Sequence, residues 1–300
     1  MKILFFDIDG TLLDHTGRVS ESAKRALQLA KEEGHLRLLC TGRTCSMLPP
    51  QVKALGFDGI VGGAGTYVQV GEEILLDREL TPSEVETSLF WLSKGRFGFL
   101  YEGRDCVHVM PWEHYQNARR YQEHVRRIGA PYEVIDLQHP EQIHTAKFSV
   151  TMEEGQWDYG RQMIEALKES FHVVIHQAPR SRNTSAGPGL TEAAFTKEGQ
   201  GALTDGLAEF LPNGCDKAAG IRIALDYLKI PVSEAYAFGD SNNDLEMLRL
   251  VEHSVCMGNG TREAKAAAEY ITTDIGEDGI WNAMLHYGLI TEKTREDTGK

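Results

Sequence analysis

Ile3-Leu4-Phe5-Phe6-Asp7-Ile8-Asp9-Gly10-Thr11-Leu12 is the stretch on which the reading of this chain turns. A short apolar run, Ile3 to Phe6, breaks off into two carboxylates one residue apart and then a glycine. Four apolar residues bounded by Gly10 predict a strand buried on both faces. Side chains alternate along a strand, so Asp7 and Asp9 start on the same side, at its carboxyl end. Open parallel α/β sheets bind ligands at that edge. Two crowded carboxylates repel when both are ionised, so the pair calls for a cation or for a proton on one of them. An Asx-type turn capping the next segment is the plainer reading of the same residues.

Outward from this run the chain keeps a strand–helix rhythm. Leu12 to Val19 predicts a small hairpin flap. Ser20 or Ser22 caps a helix with Ala23, Ala26, Leu27 and Ala30 on one face and Gly34 past its end. Leu36–Cys40 reads as the next buried strand, followed by Thr41-Gly42-Arg43. A helix is expected over much of Cys45–Leu55, then a third strand over Phe57–Val61. The rhythm resumes late in the chain. A helix is predicted over Asp216–Lys229, a strand over Ala235–Phe238, a helix over Asn242–Leu250, a strand over His253–Met257 and a helix over Thr261–Ala268. Strands alternating with helices predict a parallel sheet covered on both faces, an α/β fold. Between about Thr81 and Phe210 the pattern is mixed. Helices are expected around Ser83–Lys94, Trp112–Ile128 and Trp157–Ser170, and strands around Phe97–Tyr101, Val107–Met110, Ala146–Thr151 and Val173–His176. Residues 181–201, rich in Gly, Ser, Thr and Pro, read as a long loop. The expected organisation is therefore a Rossmann-like core from 1–80 and 211–300, with an inserted α+β cap from 81–210.

Bulk properties narrow the function. With 300 residues, 41% apolar and 25% charged, the chain has the make-up of an ordinary globular protein. The formal charge of −13 argues against nucleic acid or an anionic membrane as partner. An anionic substrate would need local positive groups or a metal. The five cysteines, Cys40, Cys45, Cys106, Cys215 and Cys256, are scattered without a Cys-x-x-Cys pair. That favours reduced thiols in a cytoplasmic protein over a disulfide frame or zinc site. The arginines 119, 120, 126 and 127 read as a solvated helix face. His172 and His176 fall on an expected strand and lack a His-Glu-x-x-His arrangement.

Three further signals sit where the first motif needs them. Thr41 and Gly42 end the second strand, where a hydroxyl and free N–H groups suit an anionic oxygen, although Thr-Gly alone is also an ordinary turn. Lys217 stands in the first turn of a helix, where a cation opposes the helix dipole. A site built for an anion resolves that conflict, and a solvated lysine is the bland alternative. Gly239-Asp240-Ser241-Asn242-Asn243-Asp244 again follows a buried strand. Hard oxygen ligands beside a phosphate site suggest Mg2+. Helix capping by Asn242 or Asp244 accounts for one acid and leaves Asp240 unexplained.

Asp7-Ile8-Asp9-Gly10-Thr11, Thr41-Gly42-Arg43, Lys217 and Gly239-Asp240-Ser241-Asn242-Asn243-Asp244 together resemble the four motifs of the haloacid dehalogenase-like (HAD) hydrolases. The position of the insert, Met257-Gly258-Asn259 and Glu277-Asp278-Gly279 resemble the Cof-type phosphatase branch. The resemblance implies a phosphatase for a small phosphorylated metabolite, a sugar phosphate or phosphorylated cofactor, working through an aspartyl-phosphate. It implies Asp7 as nucleophile and Asp9 as proton donor, then as activator of water. Thr41, Gly42, Lys217 and Asn243 would bind the phosphoryl group. Asp7, the backbone carbonyl of Asp9 and Asp240 would hold Mg2+, with Asp244 orienting metal and water. Gly62-Gly63-Ala64 departs from the Asn-Gly-Ala often found in the branch after the third strand. A phosphomutase on the same scaffold and a non-catalytic phosphometabolite-binding protein are the competing readings.

Overall fold

The computed structural model describes residues 1–95, 97–110, 122–123, 125–136, 138–152, 157–176 and 207–291. The opening run forms β1 (Ile3–Phe6), and all four of its side chains are fully buried. It lies inside an eight-stranded sheet. β1 pairs in parallel with β12 (Ala235–Gly239) on one side and β2 (Leu36–Cys40) on the other. β3 (Gly59–Gly62), β13 (His253–Cys256) and β14 (Tyr270–Ile271) extend the parallel array. β4 (Tyr67–Val70) and β5 (Glu73–Asp77) add an antiparallel hairpin at the edge. The order across the sheet is β14-β13-β12-β1-β2-β3-β4-β5.

The continuous apolar run of β1 follows from burial on both faces. Leu4 and Phe6 point into one cluster with Ala26 and Leu27 of α1 (Glu21–Glu32). Ile280 and Met284, in a helix at Gly279–His286, join the same cluster. Ile3 and Phe5 point into the other, with Ile221 of a helix at Lys217–Leu228 and Met247 of one at Leu245–Leu250. Burying each such side chain contributes about 1.5–3 kcal/mol. Phe6 also stacks on Phe238 of β12 with ring centroids 4.6 Å apart. This is the expected α/β, Rossmann-like core, and Ser20 is the residue that caps α1, accepting from the Ala23 N–H.

The expected helix over Cys45–Leu55 is not there. A 3-10 turn at Cys45–Met47 and α2, a single turn at Pro50–Lys53, take its place. Pro49 and Pro50 explain the break: a proline disfavours helical backbone in the residue before it. The segment Asn242–Leu250 likewise begins as a 3-10 turn before its helix proper.

A second sheet, of six strands, carries the middle of the chain. Its strands are β6 (Phe97–Glu102), β7 (Val107–Val109), β8 (Tyr132–Val134), β9 (Lys147–Met152), β10 (Phe171–His176) and β11 (Leu207–Pro212). They lie in the order β10-β11-β9-β6-β7-β8. β11 runs past the expected boundary at residue 210, because Pro212 still pairs with Phe171. Two helices, α3 (Pro82–Leu92) and α4 (Trp157–Leu167), pack on one face against Phe99, Tyr101, Phe148 and Phe210. The expected helix over 112–128 is described only in part, with 122–123 and 125–128 helical, and Arg119, Arg120 and the loop 181–201 lie outside the described residues. No helix among the described residues is long and apolar enough to cross a membrane.

Candidate active site

Parallel pairing of β12, β1 and β2 brings their carboxyl ends to one edge. Phe6 is level with Phe238 on β12 and Leu39 on β2, so the residues that follow converge: Asp7, Gly239-Asp240 and Cys40-Thr41. The Asp7 N–H donates to the Phe238 carbonyl (2.9 Å), extending the ladder by one step. Beyond it Gly10 adopts φ +86°, and a Cβ there would meet the Asp240 carboxylate at 2.4 Å. Glycine is what lets these two loops touch.

Lys217 begins α5 (Lys217–Leu228), and the oddity of its position resolves on inspection of its neighbours. Asp216 caps the helix instead, its carboxylate accepting from the Ala219 N–H at 2.7 Å. The Lys217 side chain, 1% exposed, turns inward. Its ammonium donates to Asp7 Oδ1 at 2.6 Å and to Asp244 Oδ1. Burial opposes the charged form of Lys217, but Asp244 and Asp7 outweigh it and hold the ammonium well above the usual lysine range. Gly65 (φ +92°) packs on this helix start, and a Cβ there would lie 2.1 Å from the Asp216 carbonyl oxygen. Gly65→Ala is therefore expected to destabilise the fold by about 2 kcal/mol or more, read by urea unfolding. A loss below about 0.5 kcal/mol would show that this contact is not tight.

The second acid of the pair stands apart from the first. Asp9 is exposed and gripped by Arg43, whose Nε and Nη2 donate to its two oxygens at 2.7 and 2.8 Å. Arg43 also donates to the Met47 carbonyl (3.1 Å), and its N–H to the Thr41 hydroxyl (3.1 Å). Thr41 itself is buried. Across the cavity, Asn243 Oδ1 accepts from the Ser241 hydroxyl at 2.7 Å, and Asn243 Nδ2 lies 3.7 Å from where a Cβ on Gly42 would be.

Asp7, Asp240 and Asp244 have carboxylate oxygens within 4.8 Å of one another. Asp244 is committed to the protein: Oδ1 accepts from Lys217, and Oδ2 accepts from the N–H groups of Asp240 and Ser241, both at 2.9 Å. Thr11 donates to Asp240 Oδ1 at 3.0 Å. Asp7 Oδ2 and Asp240 Oδ2 are left without a hydrogen-bond donor among the described residues. Three carboxylates share one ammonium, so the cluster carries excess negative charge. Burial, with Asp244 close by, pushes Asp240 up to about 7. Burial also raises Asp7 well above the usual carboxylate range; Lys217 opposes the rise, and Asp244 and Asp240 add to it. Such a donor set fits a hard divalent cation, which would supply the missing positive charge.

The profile of the haloacid dehalogenase-like hydrolases matches residues 4–284. The chain is a haloacid dehalogenase-like hydrolase. The resemblance drawn from the four motifs, Cof-type branch included, agrees with this match. The hydrolase is 24% identical over 290 residues to YkrA of Bacillus subtilis, covering 96% of this chain and 98% of that protein. It is 26% identical over 292 residues to the 5-amino-6-(5-phospho-D-ribitylamino)uracil phosphatase YitU of the same organism, covering 95% of this chain and 97% of that one. Among solved structures it is similar to the HAD subclass IIB sugar phosphatase BT4131, at 25% identity and a TM-score of 0.75. That match covers 97% of this chain and 100% of the other. These relationships put the hydrolase among the HAD-like phosphatases.

Sequence reasoning did not find the far wall of the site. The cavity, about 290 Å³, is lined on one side by Asp7, Asp9, Thr41 and Gly42 and on the other by Leu100, Glu102, Lys147, Ser149 and Glu209. The signal was present as alternation: Leu100 and Glu102, and Lys147 and Ser149, are two apart on strands whose intervening residues are apolar.

Proposed function

We propose that this hydrolase is a Mg2+-dependent phosphatase that cleaves a small phosphorylated metabolite through an aspartyl-phosphate on Asp7. The observation that carries the reading is the cluster of Asp7, Asp240 and Asp244 around Lys217 at the carboxyl end of β1 and β12. The carboxylates of Asp7 and Asp240 and the backbone carbonyl of Asp9 would hold the metal. Asp244 would keep Lys217 and the Asp240 loop in place and orient water through them. Bound Mg2+ supplies the positive charge that lets a carboxylate approach a phosphate dianion.

The chain's own groups then divide the work. Asp7 Oδ2, which no described donor occupies, forms the bond to phosphorus as the ester oxygen leaves. Thr41, the Gly42 N–H, Lys217 and Asn243 hold the phosphoryl oxygens. Asp9 gives its proton to the leaving oxygen and takes one from the water that later attacks the aspartyl-phosphate. This requires the Asp9–Arg43 pair to open, and an arriving phosphate offers the guanidinium an alternative anion. The sheet over 97–212 acts as a cap that excludes water and selects the leaving group. Five free cysteines support a cytoplasmic setting. The names of YitU and BT4131, a ribitylaminouracil phosphatase and a sugar phosphatase, support a small phosphorylated metabolite as substrate class.

Release of inorganic phosphate from a panel of phosphate monoesters, with Mg2+ and with a chelator, tests the reading. Phosphate release that stops on chelation is expected. Isomerisation of a sugar phosphate without release would point to a phosphomutase, and binding without turnover to a sensor. A further expectation concerns stability. The metal competes with protons for Asp7 and Asp240, so Mg2+ should raise the Tm of metal-free protein by several degrees more at pH 8 than at pH 5.5. A Tm gain equal at both pH values would remove these carboxylates as ligands.

A further inference from the structure

The second sheet carries another cluster of metal-ligating side chains, remote from Asp7. Cys106 directly precedes β7 and His108 lies two residues on, so alternation sets both side chains on one face. β8 pairs in parallel with β7 and brings Glu133 level with His108. Thiol, imidazole and carboxylate come within 4.8 Å of one another. His108 is opposite Tyr101 of β6, whose ring belongs to the aromatic face that packs on α3 and α4. Val107 and Val109 point the other way, into a cluster with Met47 and Leu100, which line the active-site cavity. The cluster therefore lies on the face of the sheet turned away from the nucleophile.

The imidazole is already set as a ligand. His108 Nε2 lies 3.1 Å from the His144 carbonyl oxygen, which can only accept, so this nitrogen carries the ring proton. The lone pair is left on Nδ1, 3.8 Å from Glu133 Oε2. Two ligands each about 2.1 Å from a tetrahedral Zn2+ stand about 3.4 Å apart, so a small movement closes the site. Metal-ligating histidines ordinarily donate their other ring N–H to a carbonyl or carboxylate in this way. Burial and the Glu133 carboxylate hold the Cys106 thiol above its usual range. A dication beside it reverses both effects, because a coordinating thiol loses its proton. His108 is buried, whereas the Glu133 side chain is exposed and gives an ion a way in. Thiolate, imidazole and carboxylate together suit Zn2+, while Mg2+ takes oxygen ligands. Cysteine spacing gives no zinc motif here because the triad is assembled across two strands.

We propose that Cys106, His108 and Glu133 form a second metal site, for Zn2+, with three protein ligands and a fourth position open to water. It is separate from the acids around Lys217 and independent of the phosphatase reading. Its consequence is structural. β8 stands at the edge of the sheet, with three residues and none of them buried. An ion held by Cys106 and His108 on one side and Glu133 on the other pins that edge strand to β7, and binding to the folded state alone stabilises it.

The test titrates the full chain with Co2+ and with Zn2+ while Mg2+ is in excess, so that the acids around Asp7 do not compete. One equivalent of Co2+ is expected to give a thiolate-to-cobalt charge-transfer band in the near ultraviolet, which Zn2+ then abolishes by displacement. Zn2+ should also raise the Tm by several degrees. Cys106→Ser should remove the band and most of the Tm gain. Glu133→Gln, a change at an exposed side chain, should keep the band but weaken Zn2+ binding about tenfold or more, and it keeps the test open should Cys106→Ser fold poorly. Wild-type protein that gives no band overturns the site. A band that survives in Cys106→Ser overturns it as well, because the metal would then sit on one of the other four cysteines. Zn2+ affinity unchanged in Glu133→Gln overturns the bridge between β7 and β8.

Discussion

Asp7→Asn is expected to fold, to keep its affinity for phosphate esters within about an order of magnitude, and to lose about 10⁴-fold or more in kcat. The amide matches the carboxylate in shape but cannot attack phosphorus at a useful rate. The structure makes this variant a sharp one. Asp7 is buried, and its Oδ1 accepts from Lys217, a role that an amide oxygen can still fill. The cluster carries more carboxylates than cations, so removing one negative charge relieves repulsion. A buried residue that serves only the fold would destabilise the protein on substitution; for Asp7 the Tm of metal-free protein should hold or rise while activity disappears. Single-turnover measurements and thermal unfolding on the same preparation separate these outcomes. Undiminished phosphate release would remove Asp7 as nucleophile. A large fall in Tm would mean that the cluster lacks the excess negative charge that three carboxylates around one ammonium imply.

The parts of the fold legible in the sequence share one physical cause. β1 and β12 are buried on both faces and their apolar runs are unbroken, while β2 and β13 are nearly as buried but carry Arg37 and His253-Ser254 within them. The residues that follow, Asp7, Thr41 and Asp240, then stand at one sheet edge because the strands are parallel. Lys217 was visible as a charge of the wrong sign for its place in a helix. The edges were harder. β5 has no buried residue, and Glu73 and Asp77 are exposed, so no period marks it as a strand. β8 has three residues, none of them buried, and is recognisable only from its pairing with β7. For the wall of Glu102, Lys147 and Glu209, alternation marks a polar face on β6 and β9 but not what that face looks at. Each is an isolated charge in a strand, and only the fold decides which face of that strand looks at Asp7. The bonds of Arg43 to Asp9 and the Met47 carbonyl make it a bridge between the motif and the loop at Cys45–Met47.

Lys217→Met is expected to be the more damaging change to the protein as a whole. The methionine fills the space of the lysine stem but leaves Asp7, Asp240 and Asp244 together with no cation. Breaking a buried pair by removing one partner costs about 3–5 kcal/mol. The sign of the pH dependence follows from the groups left behind. Lys217, held well above the usual range, is charged in both folded and unfolded chains at neutral pH and stops contributing only as pH rises through its folded value. The carboxylates behave oppositely to ordinary surface acids. Asp240 titrates at about 7 when folded and near 3.8 when unfolded, so the folded chain holds the extra proton between those values. Stability from this group is complete below the unfolded value and is lost as pH rises through about 7. Without Lys217 that loss deepens, because nothing offsets the ionised cluster. The gap in unfolding free energy between wild type and Lys217→Met should therefore be small at pH 5 and approach its full size at pH 8, and Mg2+ should narrow it at pH 8 alone. Urea unfolding of both proteins at the two pH values, with and without Mg2+, gives all four numbers. A gap that stays under about 1 kcal/mol at pH 8, or that widens toward acid, would mean that Lys217 does not neutralise these carboxylates and that its contacts with Asp7 and Asp244 do not hold the site together.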